Sequence, residues 1–309
     1  TEGHTLIHPS IFGHKSLQYA AEKAGFAMIW REDMNNYGQS SWIFKKGKPT
    51  ISCFMIVKNE EGDLRECLQS IRPHVDEMIV LDTGSTDKTR EIAKAEGAKV
   101  FDSRYFNADT QYQEFDFSKA RNESIKYATG DWLIWMDADD RLETIKFNLS
   151  PDWDAYYARI KYGNTSYNQA RIFRNNWGVH FKGAVHEYPV IDGLRLGIML
   201  GCTVNHKSGN KEGRTDRNLT ILQGEYERDP TNKRTIFYLA NASREAGKYA
   251  EAVTYYEEYI NSGGNFHDEL VLAYYYKGLS YYCLRQYDKS LNALHQTMAF
   301  DDRWAEPYS

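Results

Sequence analysis

Gly130-Asp131-Trp132-Leu133-Ile134-Trp135-Met136-Asp137-Ala138-Asp139-Asp140 is the stretch on which the fold turns. Trp132 to Met136 is an unbroken apolar run, and three carboxylates follow within four positions. So short a run, closed by acids, reads as a central strand buried on both faces and not as a helix. The acids then stand at the carboxyl edge of an open α/β sheet, where ligands bind in such folds. Asp137 and Asp139 are two residues apart and can reach one hard cation together. Mg2+ or Mn2+ suits the pair, because both prefer oxygen ligands and can leave positions open for diphosphate oxygens. Taken alone, Asp-x-Asp is more often the chemistry of an acidic turn capping the next helix.

The chain around this strand has 309 residues, long enough for two domains, one with a large core. Hydrophobic residues make up 41% and aromatic residues 14%, which argues for a packed protein and against disorder. A formal net charge of −5 provides no general attraction to nucleic acid or anionic lipid. Cys53, Cys67, Cys202 and Cys283 are scattered without a CxxC pair, so neither a zinc ribbon nor a disulfide framework is indicated. No stretch reaches membrane-spanning length and the first residues are not a signal peptide, so a cytoplasmic protein is expected.

Residues 1–49 read as an N-terminal extension, with an amphipathic helix expected from Lys15 to Ala24, turn chemistry at Asn35 to Gly38 and an edge strand at Ser41 to Phe44. Ile51 to Val57 is a strong strand, and Leu64, Cys67, Leu68 and Ile71 follow at helical spacing until Pro73. A second strand, Glu77 to Leu81, ends in Asp82-Thr83-Gly84-Ser85-Thr86-Asp87, and a helix from about Lys88 to Glu96 stops at Gly97. Lys99 to Phe101 is a third strand. This alternation with short links specifies right-handed parallel βαβ units. Asp82, ending a strand on the same edge as Asp137, can accept from a ribose hydroxyl or a uracil imide N–H; helix capping by Ser85 or Asp87 is the plainer reading of that turn. There is no GxGxxG and no GxxxxGK[ST], which argues against dinucleotide and P-loop chemistry.

Four motifs stand in order: Val57-Lys58-Asn59-Glu60-Glu61, then Val80 to Asp87, then Phe117-Ser118-Lys119-Ala120-Arg121-Asn122, then Met136 to Asp140. Together they resemble the family-2 glycosyltransferases across about residues 50 to 145. The resemblance implies a GT-A fold, a Rossmann-like mixed α/β sheet flanked by helices, and metal-dependent inverting transfer from a nucleotide sugar, most simply a UDP-sugar with Mn2+ or Mg2+. It places Val57, Asn59, Glu60, Asp82, Arg121, Asp137 and Ala138 around the donor, and Asp137 and Asp139 on the metal.

Beyond Pro151, Ala155 to Ile160 and Gln169 to Arg174 read as antiparallel strands joined through Gly163-Asn164, and a later strand ends at His206. The Arg171-Ile172-Phe173-Arg174, Val185-His186-Glu187 and Asn205-His206-Lys207 segments resemble the subgroup of these transferases that carries tetratricopeptide repeats. That likeness makes His206 a third metal ligand. The family's usual Glu-Asp pair before a helix is missing, and His186-Glu187 stands in its place. Glu187 is the candidate general base and His186 its competitor. Lys207, Lys211, Arg214 and Arg217 are expected on a loop that screens the leaving diphosphate, or equally on a solvated link.

From Leu219 the chain reads as helical. Thr235 to Ala242 with Gly247 to Tyr256 returns as Ala273 to Ser280 with Arg285 to Leu294, in which Ala240 matches Gly278 and Tyr249 matches Tyr287. This resembles tetratricopeptide repeats. The expected organisation is thus residues 1–49, a GT-A domain over 50–218 and an all-α TPR-like domain over 219–309. The acceptor is expected to be a hydroxyl or thiol on a peptide or protein, a glycan, or a modified nucleic acid read by Arg159, Lys161, Arg171, Arg174 and Lys182. The repeats would hold a protein partner or a second copy of the chain. The alternative reading is a nucleotide-binding TPR scaffold without turnover.

Overall fold

The computed structural model describes residues 5–7, 26–32, 41–150, 152–175, 178–207, 213–264 and 266–300. The helix expected over 15–24, the turn at 35–38 and Lys211 lie outside the described residues. Strands β1 (Thr5–Ile7), β2 (Phe26–Glu32) and β3 (Ser41–Lys46) form an antiparallel sheet in the order β1-β3-β2.

The main sheet begins with β4 (Ile51–Val57), α1 (Leu64–Ile71), β5 (Glu77–Asp82), α2 (Thr89–Ala95), β6 (Lys99–Asp102), α3 (Phe117–Ile125) and β7 (Trp132–Trp135). β4, β5, β6 and β7 are mutually parallel where they pair, as the βαβ alternation requires. β8 (Asp140–Thr144), β9 (Ala155–Tyr162), β10 (Thr165–Arg174), the short strands β11 (His180–Lys182) and β12 (Tyr188–Val190), and β13 (Leu196–His206) follow. β9 and β10 pair Tyr162 with Thr165 across Gly163-Asn164, and Gly163 takes the left-handed φ of 54° that this two-residue turn needs.

The eight strands run β6-β5-β4-β7-β10-β9-β13-β8. β7 and β8 are neighbours in the chain but four strand spacings apart in the sheet. A flat sheet would separate them by about 19 Å. The five residue steps from Trp135 to Asp140 reach at most about 18 Å even when extended, and here they turn, with the Asp140 N–H donating to the Asp137 carbonyl at 3.0 Å. The sheet therefore curls, and its far edge returns to the end of β7. Its interior is packed by Leu64, Cys67 and Ile71 of α1 with Ile134, Ile160, Ile172 and Val204.

Helices α4 (Arg214–Arg228), α5 (Lys233–Glu245), α6 (Tyr249–Asn261), α7 (His267–Cys283) and α8 (Tyr287–Phe300) complete the chain. α5 and α6 are joined at Gly247 and α7 and α8 at Arg285, two helix pairs with one pattern. Tyr256, Tyr259, Phe237 and Ala240 form their core. By contact the chain divides into two compact units. One holds residues 1–109, 119–181 and 189–209; the other holds 110–118, 182–188 and 210–309. The helical unit thus takes in two short segments that precede its helices in the chain.

Candidate functional site

β7 ends at Trp135, and the chain leaves the sheet through Met136-Asp137-Ala138-Asp139 before Asp140 opens β8. Register then pairs Asp140 with His206 across β8 and β13. Ligand atoms of Asp137, Asp139, Asp140 and His206 consequently all lie within 4.8 Å of one another. The sequence assigned Asp137, Asp139 and His206 to a metal, and the structure brings those three together. Asp140 was not singled out, because an acid opening a strand has no local signature of ligation.

The four acids and bases of this cluster have different tasks. Asp140 is fully buried. Its carboxylate accepts from Arg171 Nη1 at 2.9 Å, from the Asp137 N–H at 2.9 Å and from His206 Nδ1 at 2.8 Å. Burial opposes its ionisation, yet the Arg171 guanidinium and the His206 hydrogen bond hold its pKa below the usual carboxylate value. Since the carboxylate can only accept, the bond fixes a proton of His206 on Nδ1, so that Nε2 is the nitrogen that could serve a cation. The same bond raises the His206 pKa. Asp139 sits 3.6 Å from His206 Nδ1, and burial together with Asp137 and Asp140 raises its pKa against the pull of His206.

Asp137 Oδ1 accepts from Arg121 Nη2 at 2.9 Å. Arg121 and Arg171 are both buried and both lie over the Trp135 ring, with guanidinium carbons 4.4 and 3.6 Å from its centroid. With His206 neutral, three carboxylates against two guanidiniums leave the cluster net negative. Its oxygens and one imidazole nitrogen fit a divalent cation of the Mn2+ or Mg2+ kind. Burial of Arg171 and Arg174 removes them from the basic face expected for a nucleic-acid acceptor. Arg171 faces Asp140 and Arg174 approaches Asp154 at 4.0 Å, while Arg159, Lys161 and Lys182 are exposed.

The turns after β4 and β5 are stitched to each other. The Asn59 N–H donates to Ser85 Oγ, Asn59 Oδ1 accepts from the Thr86 N–H at 2.8 Å, and the Glu60 N–H donates to Thr89 Oγ1 at 2.7 Å. Asn59 adopts a left-handed φ of 57° to do so. Val57 accepts from Thr83 through its carbonyl. Asp82 is buried and accepts from the N–H groups of Gly84 and Ser85 at 3.2 and 3.1 Å, with Arg90 Nη1 at 3.6 Å. It therefore shapes its own turn, in addition to the nucleoside role expected of it. Gly84 is obligatory there, since a Cβ would fall 2.2 Å from the Asn107 carbonyl carbon.

Lys207 extends beyond His206, and its N–H donates to the Asp139 carbonyl at 2.9 Å. Its ammonium lies 3.0 Å from Asp63 and 3.4 Å from Glu66, acids of the α1 region shared with Arg141. His186, Glu187 and Arg214 belong to the helical unit. His186 has a left-handed φ of 54°, and its ring stacks on Tyr238 with centroids 4.3 Å apart. Packing around the ring and the nearby Arg234 push its pKa down to about 4, although the residue as a whole keeps an exposed surface that limits the desolvation. Glu187 is half-buried.

Comparison with known proteins finds relatives of the segment that carries this cluster. Residues 52–147, which carry the strand ends and all three clustered carboxylates, match the family described as Glycosyl transferase family 2. The SPbeta prophage-derived glycosyltransferase SunS of Bacillus subtilis is 30% identical over 251 residues, covering 73% of this chain and 56% of that protein. A TPR repeat-containing protein of Synechococcus elongatus is 36% identical over 152 residues, 44% of this chain and 34% of its own length. The chain thus spans little more than half the length of the first relative and a third of the second. Among solved structures, glucosyl-3-phosphoglycerate synthase from Mycobacterium tuberculosis, in complex with Mn2+, UDP and glucosyl-3-phosphoglycerate, is 26% identical, covers 38% of this chain and 45% of that one, and superposes with a TM-score of 0.30. The motifs, the curled mixed sheet and the matched block lead to one assignment: the chain carries a family-2 glycosyltransferase domain of the GT-A fold, followed by a TPR-like helical region.

Proposed function

We propose that this protein is a metal-dependent, inverting glycosyltransferase that moves a sugar from a nucleotide sugar, a UDP-sugar, to a hydroxyl or thiol of a peptide, protein or other macromolecular acceptor. The observation that carries the reading is the convergence of Asp137, Asp139, Asp140 and His206 at the carboxyl end of β7. Asp137, Asp139 and His206 would hold the cation, with Asp140 and Arg121 orienting His206 and Asp137. When bound, the cation supplies charge neutralisation for the departing diphosphate. Val57, Asn59 and Glu60 beside Asp82 form the rim for the nucleoside, and Ala138 keeps the turn between the two ligand acids small.

Transfer is a single displacement at the anomeric carbon. The bond to the acceptor oxygen or sulfur forms as the bond to the diphosphate breaks, and a base removes the acceptor proton. Glu187 is the better base of its pair. The His186 ring is engaged in stacking on Tyr238, with centroids 4.3 Å apart. Lys207 and Arg214 are assigned to the diphosphate on family resemblance.

The test is hydrolysis of UDP-sugars without acceptor, followed in Mn2+ and in chelator, for the wild type and Asp139→Asn. The expected result is metal-dependent turnover that falls by about 10²-fold or more in the variant, the usual worth of a charge-stabilising group, with an unchanged melting temperature. Full turnover in chelator or in the variant would sink the metal mechanism. No turnover with any donor would leave the nucleotide-binding scaffold as the better reading.

A further inference from the structure

The turn that carries the ligand acids is gripped by its backbone from outside. The Asp137 carbonyl accepts from Cys67 Sγ at 3.2 Å, and the Asp139 carbonyl from the Lys207 N–H at 2.9 Å. The Ala138 and Asp140 carbonyls accept from one group, Arg141 Nη1, at 3.0 and 2.8 Å. The other edge of that guanidinium faces the start of α1. Nη2 donates to Asp63 and Glu66, each at 3.0 Å, and Nε to the same Glu66 oxygen at 3.0 Å. β8 is clasped to α1 once more where the Leu142 N–H donates to Ser70 Oγ at 3.0 Å.

Magnitudes separate stability from geometry here. The Glu66 side chain is 62% exposed and that of Asp63 30%, so their ion pairs add little to global stability. A planar guanidinium, however, presents two edges in a fixed relation. One edge spans two carbonyls of the turn and the other spans two acids of α1. Lysine has a single charged nitrogen on a flexible stem and cannot reproduce that fork. Asp137 and Asp139 reach one cation together only if the backbone between them keeps its path, and Ala138 is the residue between them.

We propose that Arg141 is a positioning residue of the metal site: anchored on Asp63 and Glu66, it holds the backbone of residues 138–140 so that Asp137, Asp139 and His206 converge on one divalent cation. Among the described ion pairs, none joins Arg141 to a ligand carboxylate, so it acts through the carbonyls of the turn. This role rests on the metal-dependent reading given above and adds the group that sets the turn before the cation arrives.

The test is titration of the donor-free protein with Mn2+, the free ion being read by electron paramagnetic resonance, for the wild type, Arg141→Met, Arg141→Lys and Glu66→Ala. A circular-dichroism melt of each variant reports its fold. Arg141→Met is expected to weaken Mn2+ binding by about 10-fold or more, the usual range for an outer partner of a metal site, and Arg141→Lys to recover only part of the loss. Glu66→Ala is expected to weaken it severalfold with an unchanged melt, and to add nothing in the Arg141→Met background, because Glu66 acts through Arg141. A purely structural role would lower the melting temperature and leave the Mn2+ affinity of the folded protein where it was. That result, or additive effects of Arg141→Met and Glu66→Ala, would overturn the proposal. If Arg141→Met does not fold, wild-type Mn2+ affinity in both Arg141→Lys and Glu66→Ala overturns it as well. A wild type that takes up no Mn2+ sinks the metal reading itself, and this role with it.

Discussion

Asp140 shows how much one side chain can hold at once. Its buried carboxylate is the counter-ion of Arg171, the acceptor that sets the His206 tautomer and the cap of the Asp137 amide. Asp140→Asn keeps the shape and removes the charge. Arg171 would then be a buried cation without its closest anion, a loss expected to cost about 3 kcal/mol by analogy with broken buried pairs. Urea unfolding measures this, and a change below about 1 kcal/mol would mean that Asp137, 3.8 Å from Arg171, takes over the charge. Nitrogen NMR of the metal-free variant would also show the His206 ring released from its single tautomer, a readout that does not depend on turnover. Asp140 was invisible as a site residue because an acid opening a strand has no local signature of ligation; His206 reaches it through strand pairing and Arg171 through the curl of the sheet.

At the scale of elements, the two helix pairs repeat down to their turns. The offset that carries Tyr249 onto Tyr287 carries Gly247 onto Arg285, and both have left-handed φ, 75° and 59°. The hydrogen bonds repeat as well: Lys248 N–H to the Ser243 carbonyl at 2.8 Å, and Gln286 N–H to the Tyr281 carbonyl at 2.9 Å. Glycine takes this conformation freely, whereas a side chain is strained in it. Arg285→Gly is therefore expected to stabilise the protein by about 0.5–1 kcal/mol, the left-handed penalty less the extra entropy of glycine. A lower urea midpoint would show instead that the Arg285 side chain contributes more than its backbone costs. The repeat was readable from the aligned Tyr and small residues, and Gly278 has its reason in packing, since a Cβ there would come within 2.9 Å of Leu294.

For the whole molecule, the helical unit is not confined to its own stretch of chain. Phe115, Ala184 and Val185 are buried in it, Arg228 donates to the Gln113 carbonyl at 2.9 Å, and the Phe117 N–H donates to the Ala184 carbonyl at 3.0 Å. Gly224 is forced by the same packing, because a Cβ would stand 2.6 Å from the Gln113 carbonyl oxygen. A chain cut after residue 209 would leave segments 110–118 and 182–188 without the helices they pack on. It is expected to bind a hydrophobic dye and to aggregate in light scattering, unlike the full chain. A monomeric, dye-silent truncation would show that these segments find other cover.

What the sequence determined by itself is local. Apolar runs closed by acids or glycine marked β4, β5 and β7, helical spacing marked α1, Gly163-Asn164 marked a hairpin, and the ordered motifs marked the family. Each of these depends on a few consecutive residues, whose period and turn chemistry act before any tertiary contact forms. The tertiary structure alone decided the curl that returns β8 to β7, the buried charges that balance the acids, and the capture of 182–188 by the helical unit. Arg171 meets Asp140 across 31 positions and His206 meets it across 66. No window along the chain contains both partners. Burial away from water selects which distant charge must answer which, and only the folded sheet sets that choice.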